Sequence, residues 1–100
     1  MTKQLIKVGA KWCGPCKMLE AKIDTIADGG SEFVKTMRSV DIDTPEGEQI
    51  KRKYGIRSIP TLLVINSAGD CIDQLLPNST GHSLTAVKNF INQHDPLGVA

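Results

Sequence analysis

A chain of 100 residues has room for one domain with one hydrophobic core. Its content of 40% hydrophobic and 23% charged residues is ordinary for a globular protein and argues against disorder or a fibrous repeat. The formal net charge of +1 gives no broad positive field for nucleic acid or an anionic membrane. We therefore expect a single domain over residues 1–100 that binds no nucleic acid.

The N-terminal residues predict neither a secretory signal nor a membrane anchor. Lys7 interrupts the apolar run that begins at Leu5, which leaves too short a stretch for a secretory signal. The longest nearly apolar run, from Ile59 to Ile65, is far too short to cross a bilayer. We expect a cytoplasmic protein, in a compartment where thiols are kept reduced and structural disulfides are rare.

The first elements along the chain are a short strand and a helix. The β-prone run Leu5 to Val8 predicts the strand, which stops at Gly9. Spacings of three and four then put four apolar residues on one helix face: Cys16, Leu19, Ile23 and Ile26. Pro15 suits the first turn of this helix, and the pair at Gly29 supplies a stop.

A second strand is predicted from about Phe33 to Ile42, followed by a short helix. Thr44 is a candidate N-cap for that helix, Pro45 suits its first turn, and Gly55 ends it. The continuous apolar run from Thr61 to Ile65 is typical of a central strand that is covered on both faces.

The last part of the chain predicts a hairpin and a helix. The turn after Ile65 allows residues Cys71 to Leu76 to return as an antiparallel strand. The final helix places Leu84, Val87 and Ile91 on one face, with Thr80 or Ser79 as its cap. The resulting order is β-α-β-α-β-β-α, an α/β fold with a four-stranded mixed sheet flanked by three helices.

The element Cys13-Gly14-Pro15-Cys16 carries the clearest chemistry. If the helix begins here, Cys13 lies at its N-cap, where free backbone N–H groups and the helix dipole lower the thiol pKa and favour the reactive thiolate. Cys16, one turn on, is close enough to attack a mixed disulfide formed at Cys13. These spacings predict Cys13 as the nucleophile and Cys16 as the resolving thiol.

Zinc is the main structural alternative for this cysteine pair. A structural zinc site needs about four ligands, and the other candidates are Cys71, His82 and His94, none of which is in paired spacing. We therefore predict no metal. Cys71 is better interpreted as a small buried hydrophobe, and the two histidines as surface residues near the ends of the last helix.

Two segments resemble the thioredoxin family. Trp12-Cys13-Gly14-Pro15-Cys16-Lys17-Met18 is similar to the family's active-site segment, and Tyr54-Gly55-Ile56-Arg57-Ser58-Ile59-Pro60-Thr61-Leu62 is similar to its second signature. The two segments occur in the family's order and spacing. The resemblance implies a thioredoxin-like fold, with a cis peptide bond before Pro60 that lies against the cysteine pair. By position, the implied substrate surface is formed by Trp12, Gly14, Pro15, Ile59 and Pro60.

The chain departs from the family pattern at three places. Eleven residues precede Trp12, too few for the additional strand and helix of common thioredoxins, so we expect a trimmed sheet. The family's buried aspartate, six residues before the first cysteine, is replaced by Lys7, and its accompanying lysine by Ser39. A family glycine near the active site is replaced by Pro77 in a lengthened loop.

Lys7 permits two interpretations. Its side chain can reach along the apolar surface to water and do nothing chemical, which we favour because buried charge is costly. Alternatively, it lies under the cysteines and tunes the pKa of their thiols.

The resemblance implies a dithiol–disulfide oxidoreductase that acts as a monomeric protein-disulfide reductase. Its electron donor would be a thioredoxin-reductase-like enzyme, and its protein substrates could include a ribonucleotide reductase. The chain has no Gly-rich nucleotide loop, so NADPH would bind the reductase, and this protein would need no cofactor.

Two other functions stay open at the level of sequence. A glutaredoxin-like protein reduced by glutathione is favoured by the short length, but Trp12 and the Gly14-Pro15 dipeptide argue against it. The other is a binding subunit that uses the fold without catalysis.

Overall fold

A computed structural model describes residues 3–27, 32–77 and 81–95. Within these residues, four strands form one sheet: β1 (Gln4–Gly9), β2 (Arg38–Asp41), β3 (Thr61–Ile65) and β4 (Cys71–Leu75). They lie in the order β2-β1-β3-β4. β1 runs parallel to β2, while β3 is antiparallel to both β1 and β4. The predicted four-stranded mixed sheet is confirmed.

In the described part of the chain, four helices accompany the sheet: α1 (Gly14–Ala27), α2 (Glu32–Lys35), α3 (Pro45–Tyr54) and α4 (Leu84–His94). The one-turn helix α2 was not expected. The strand predicted to begin at Phe33 is therefore wrong in its first part, because β2 begins at Arg38. Phe33 and Val34 are adjacent and both buried in the same core cluster. A strand would point them to opposite faces of the sheet, whereas a helical turn places both against the core.

Capping residues fix the ends of the helices. The predicted cap of α3 is confirmed, since the Thr44 side chain accepts a hydrogen bond from Gly47 N at 3.0 Å. Gly55 ends that helix in the left-handed conformation, with φ of 65°. The cap predicted for α4 is wrong: Ser83 caps it by accepting from Ala86 N at 3.0 Å. The earlier candidates, residues 79 and 80, lie outside the described residues, as does the glycine stop predicted for α1.

The core lies in two layers, one on each face of the sheet. Alternation along β1 sends Leu5 toward α1 and α4, and sends Ile6 and Val8 toward the opposite layer, against which α3 packs. β3 divides in the same way, with Leu62 and Val64 in the first layer and Leu63 in the second. All three β3 side chains are fully buried, which confirms a central strand covered on both faces.

The two histidines are buried, which contradicts the prediction that they lie on the surface. His82 is 5% exposed and His94 is 8% exposed. His94 follows Val87 and Ile91 on the inner face of α4, and its Nε2 lies 2.7 Å from the Asp73 carboxylate on β4. The histidine therefore extends the apolar stripe that predicted this helix. Cys71, in contrast, is partly buried against the second core layer, in line with its interpretation as a small hydrophobe.

Candidate active site

Cys13 and Cys16 form a disulfide at the start of α1. Their Cα atoms are 5.3 Å apart, and Cys13 directly precedes the first helical residue. The backbone N–H of Cys16 donates a hydrogen bond to the Cys13 sulfur at 3.2 Å. The sulfur thus occupies the position that a capping oxygen takes at other helix starts, and the predicted N-cap location of Cys13 is confirmed.

The pair is held close to the sheet by a glycine. A Cβ atom on Gly9 would lie 2.9 Å from the Cys16 sulfur, so only a residue without a side chain allows this approach. Both cysteines are nearly buried, at 5% and 4% exposure. The sulfur of Cys16 therefore packs against the end of β1.

A groove of about 200 Å³ brings Trp12, the residue before Cys13, together with Ile59. Trp12 is 67% exposed, and its indole N–H donates to the Asp43 carboxylate at 2.7 Å, which fixes the ring on the surface. The Ile59–Pro60 peptide bond is cis, the isomer that the resemblance implied. Of the other predicted surface residues, Gly14 and Pro15 are exposed on the first turn of α1, whereas Pro60 is buried.

Lys7 lies under the helix that carries the cysteines. Its side chain is 6% exposed, and its ammonium forms an ion pair with Glu20 on α1. In the sheet register it stands directly opposite Ser39. The favoured interpretation, a side chain that reaches water, is therefore wrong about the position of Lys7, because the side chain is buried and its ammonium pairs with Glu20.

A cavity of about 420 Å³ adjoins this ion pair on the side of strand β2. Lys7, Glu20, Ser39 and Cys16 all contribute to its wall. The cavity therefore joins Cys16 to the buried ammonium of Lys7.

Comparison with known proteins agrees with this geometry. Residues 1–92 match the thioredoxin family model. The chain is 36% identical to a thioredoxin of Haemophilus influenzae over 92 residues, which span 90% of this chain and 78% of that protein. It is 39% identical to a thioredoxin of Porphyra purpurea over 79 residues, covering 76% and 70% of the two chains. This chain belongs to the thioredoxin family.

Solved thioredoxin structures share the fold. The thioredoxin of Malassezia sympodialis superposes with a TM-score of 0.74 at 30% identity, over 93% of this chain and 75% of that one. That of Fasciola hepatica gives 0.72 at 26% identity, over 92% and 80%. The protein is thus a thiol–disulfide oxidoreductase of thioredoxin type, and its redox group is a disulfide of the chain itself.

Three residues of this thioredoxin site were missed by sequence reasoning. Gly9 gave a weak signal as a glycine at the end of a strand. Glu20 is one helical turn from Cys16, which was a usable signal once Lys7 had been noticed. Asp43 gave none, because its contact with Trp12 bridges 31 positions of the chain.

The pKa of His82 is lowered in the folded protein. Burial lowers the pKa of His82, the hydrogen bond to the Leu75 carbonyl partly opposes this, and the positive charge of Lys22 lowers it further. The contact between His82 Nε2 and that carbonyl oxygen, at 3.1 Å, requires the ring to donate from Nε2. Its Nδ1 is buried and has no hydrogen-bond partner among the described residues.

Across residues 3–27, 32–77 and 81–95 of this thioredoxin, no group of three or more His, Cys, Asp or Glu side chains is placed to hold a metal ion. Over the same ranges, no helix has the length and apolar character needed to span a bilayer.

Proposed function

We propose that this thioredoxin reduces protein disulfides, with Cys13 as the nucleophile and Cys16 as the resolving thiol. The observation that carries the proposal is the position of the Cys13 sulfur at the start of α1, where it accepts the N–H of Cys16. In the reduced protein the same N–H and the positive end of the helix favour the thiolate.

The reaction proceeds by two exchanges. The Cys13 thiolate attacks one sulfur of the substrate disulfide, forms a mixed disulfide and releases the first substrate thiolate. The Cys16 thiolate then attacks the Cys13 sulfur, which closes the Cys13–Cys16 disulfide and releases the second substrate thiolate. Two electrons pass from the protein dithiol to the substrate, and the two leaving thiolates take up protons from solvent.

The substrate would bind along the groove between Trp12 and Ile59 and the exposed first turn of α1. Trp12 offers an exposed aromatic surface at one end, and Ile59 an apolar surface beside the cis peptide. Gly14 and Pro15 present little bulk at the exposed start of α1, so a substrate backbone can approach. An extended segment that carries a cysteine is the substrate shape that this surface accommodates.

The proposal extends to partners and location. The chain acts as a monomeric single domain in a cytoplasm, and a thioredoxin-reductase-like enzyme supplies electrons from NADPH. Protein disulfides are the substrates, with that of a ribonucleotide reductase as one candidate.

Insulin disulfide reduction tests the catalytic assignment. Cys13→Ser should abolish turnover, and Cys16→Ser should accumulate a mixed disulfide with substrate. Turnover that survives Cys13→Ser would contradict the proposal. Supplying either a thioredoxin reductase with NADPH or glutathione as donor separates this function from a glutaredoxin-like one. Biological activity retained in the Cys13→Ser/Cys16→Ser variant would instead indicate a non-catalytic binding subunit.

A further inference from the structure

The buried ammonium of Lys7 has no part in the exchange reactions described above. Its side chain points from β1 toward α1, on the same face of the strand as Leu5, where a neutral side chain would be expected. Glu20 compensates part of the desolvation cost by pairing with it. A charged side chain at this buried position is a candidate for a functional role.

The position of Cys16 relative to this pair follows from the helix and the strand. Cys16 and Glu20 are four residues apart on α1 and so lie on the same helix face, one turn from each other. On β1, Lys7 and Gly9 are two residues apart and face the same way, and Gly9 brings the Cys16 sulfur against the strand. All four residues line the cavity of about 420 Å³.

The two charges of the pair are unequally exposed to water. The Lys7 side chain is 6% exposed, whereas that of Glu20 is 54% exposed. Water screens an exposed carboxylate far more effectively than a buried ammonium. The net electrostatic effect on the Cys16 sulfur is therefore that of a positive charge.

Other charged groups reach the same cavity from each element around it. Lys11 and Lys17 are exposed, so solvent weakens their fields. Asp41 on β2 is partly buried, and its carboxylate accepts a hydrogen bond from the Asp43 N–H at 2.8 Å. Lys7 is the buried cation of this set.

We propose that the Lys7 ammonium stabilises the thiolate of Cys16 during the resolving exchange, and that the Glu20 carboxylate partly offsets the Lys7 charge. The inference rests on the proposed function, in which Cys16 resolves the mixed disulfide. The Cys16 thiol gives its proton to cavity water, and its sulfur then attacks Cys13 while the Cys13–substrate bond breaks. Lys7 keeps its proton and exchanges no electrons.

The test is the titration of Cys16 in the reduced protein, followed by carbon-13 NMR of its labelled Cβ. Lys7→Met removes the charge at similar side-chain length and should raise the midpoint of the Cys16 titration. A rise of about one pH unit would lower the thiolate fraction of Cys16 about tenfold at neutral pH. Because a more basic thiolate is also more nucleophilic, the resolving step should slow by only about threefold. Glu20→Gln should shift the midpoint the opposite way, since it removes the opposing charge.

Glu48→Gln is the matched control, because it breaks the exposed Glu48–Arg52 pair on α3 and leaves the cavity intact. It should leave the Cys16 midpoint unchanged. Lys7→Arg, which keeps the charge, should keep the midpoint close to that of the unaltered protein. Should Lys7→Met fail to fold, Lys7→Gln, which is also uncharged, replaces it in the titration.

Shifts of the Cys16 midpoint in the same direction for Lys7→Met and Glu20→Gln, or no shift in either variant, would overturn the proposal. A loss of packing alone would not give opposite shifts when opposite charges are removed. The titration needs no substrate. If insulin reduction fails in the unaltered protein while the opposite shifts are found, the proposed function falls and the electrostatic coupling stands.

Discussion

Gly9→Ala tests how tightly the cysteine pair packs against the sheet. The added Cβ would lie 2.9 Å from the Cys16 sulfur and 3.4 Å from the Cys16 Cβ. The first distance is shorter than real Cβ contacts, so atoms have to move. In the oxidised protein the sulfur is bonded to Cys13 and cannot turn aside. After reduction, Cys16 is free to change rotamer.

The expected cost follows from this difference. Overpacking a well-packed site by one methyl group costs about 1–3 kcal/mol. If all of that falls on the oxidised form, the reduction potential rises by about 20–60 mV, because about 1.4 kcal/mol corresponds to about 30 mV for a two-electron couple. In the reduced protein, a different Cys16 rotamer relieves part of the clash with the new Cβ. The reduced form is therefore destabilised less than the oxidised form.

Denaturant unfolding of both redox forms, together with equilibration against glutathione, measures these quantities. Gly14→Ala is the control for stability, because a Cβ at Gly14 would meet nothing within 4 Å. Its free energy of unfolding should be unchanged or higher by up to about 1 kcal/mol. An oxidised Gly9→Ala protein as stable as the unaltered one, with an unchanged potential, would refute the packing argument.

Three further substitutions test the individual contributions of Thr44, Trp12 and His82. Thr44→Ala removes the oxygen that accepts the Gly47 N–H and should lower the free energy of unfolding by about 1 kcal/mol in denaturant titrations. Trp12→Ala should leave stability within about 0.5 kcal/mol, because the ring is 67% exposed, yet lower kcat/KM for insulin reduction at least about fivefold. His82→Gln should weaken the loss of stability on acidification, because the pKa of His82 is lowered in the folded protein.

The direction in which His82 changes stability with pH follows from proton uptake by the folded and unfolded protein. A histidine in the unfolded chain binds its proton near pH 6.5, whereas the folded protein resists until lower pH. The contribution of His82 is therefore complete above about pH 6.5 and is lost as the pH falls from there toward the lowered pKa. Unfolding at pH 7.5 and pH 5.5 measures it, and an equal loss in both proteins would contradict the assignment. The physical cause is the buried Nδ1, which would gain a proton without a described acceptor.

Much of the fold was predictable because its signals are local. The cap at Thr44 and the left-handed glycine at Gly55 act within one turn of their helix, and the apolar run of β3 reflects cover on both faces. The disulfide follows from the two-residue spacing of Cys13 and Cys16 once a helix begins there. Such features depend little on where distant elements pack.

The failures share a dependence on tertiary packing. Phe33 is β-prone, but Phe33 and the adjacent Val34 are both buried in the same core layer. A helical turn allows this arrangement and therefore replaces the predicted strand. His94 is buried because Asp73 on another element supplies a partner. The partner of Lys7 was likewise hidden, since sequence spacing alone does not show which face of α1 crosses over β1.

Strand β2 lies at an edge of the sheet, and within the described chain it pairs with β1 alone. Unpaired edges invite strands of other molecules to add on, which leads to aggregation. This edge is four residues long, and it carries the exposed charge of Arg38 as well as that of the partly buried Asp41. A short, charged strand makes a poor template for further strands. Its composition thus disfavours self-association of the protein through this edge.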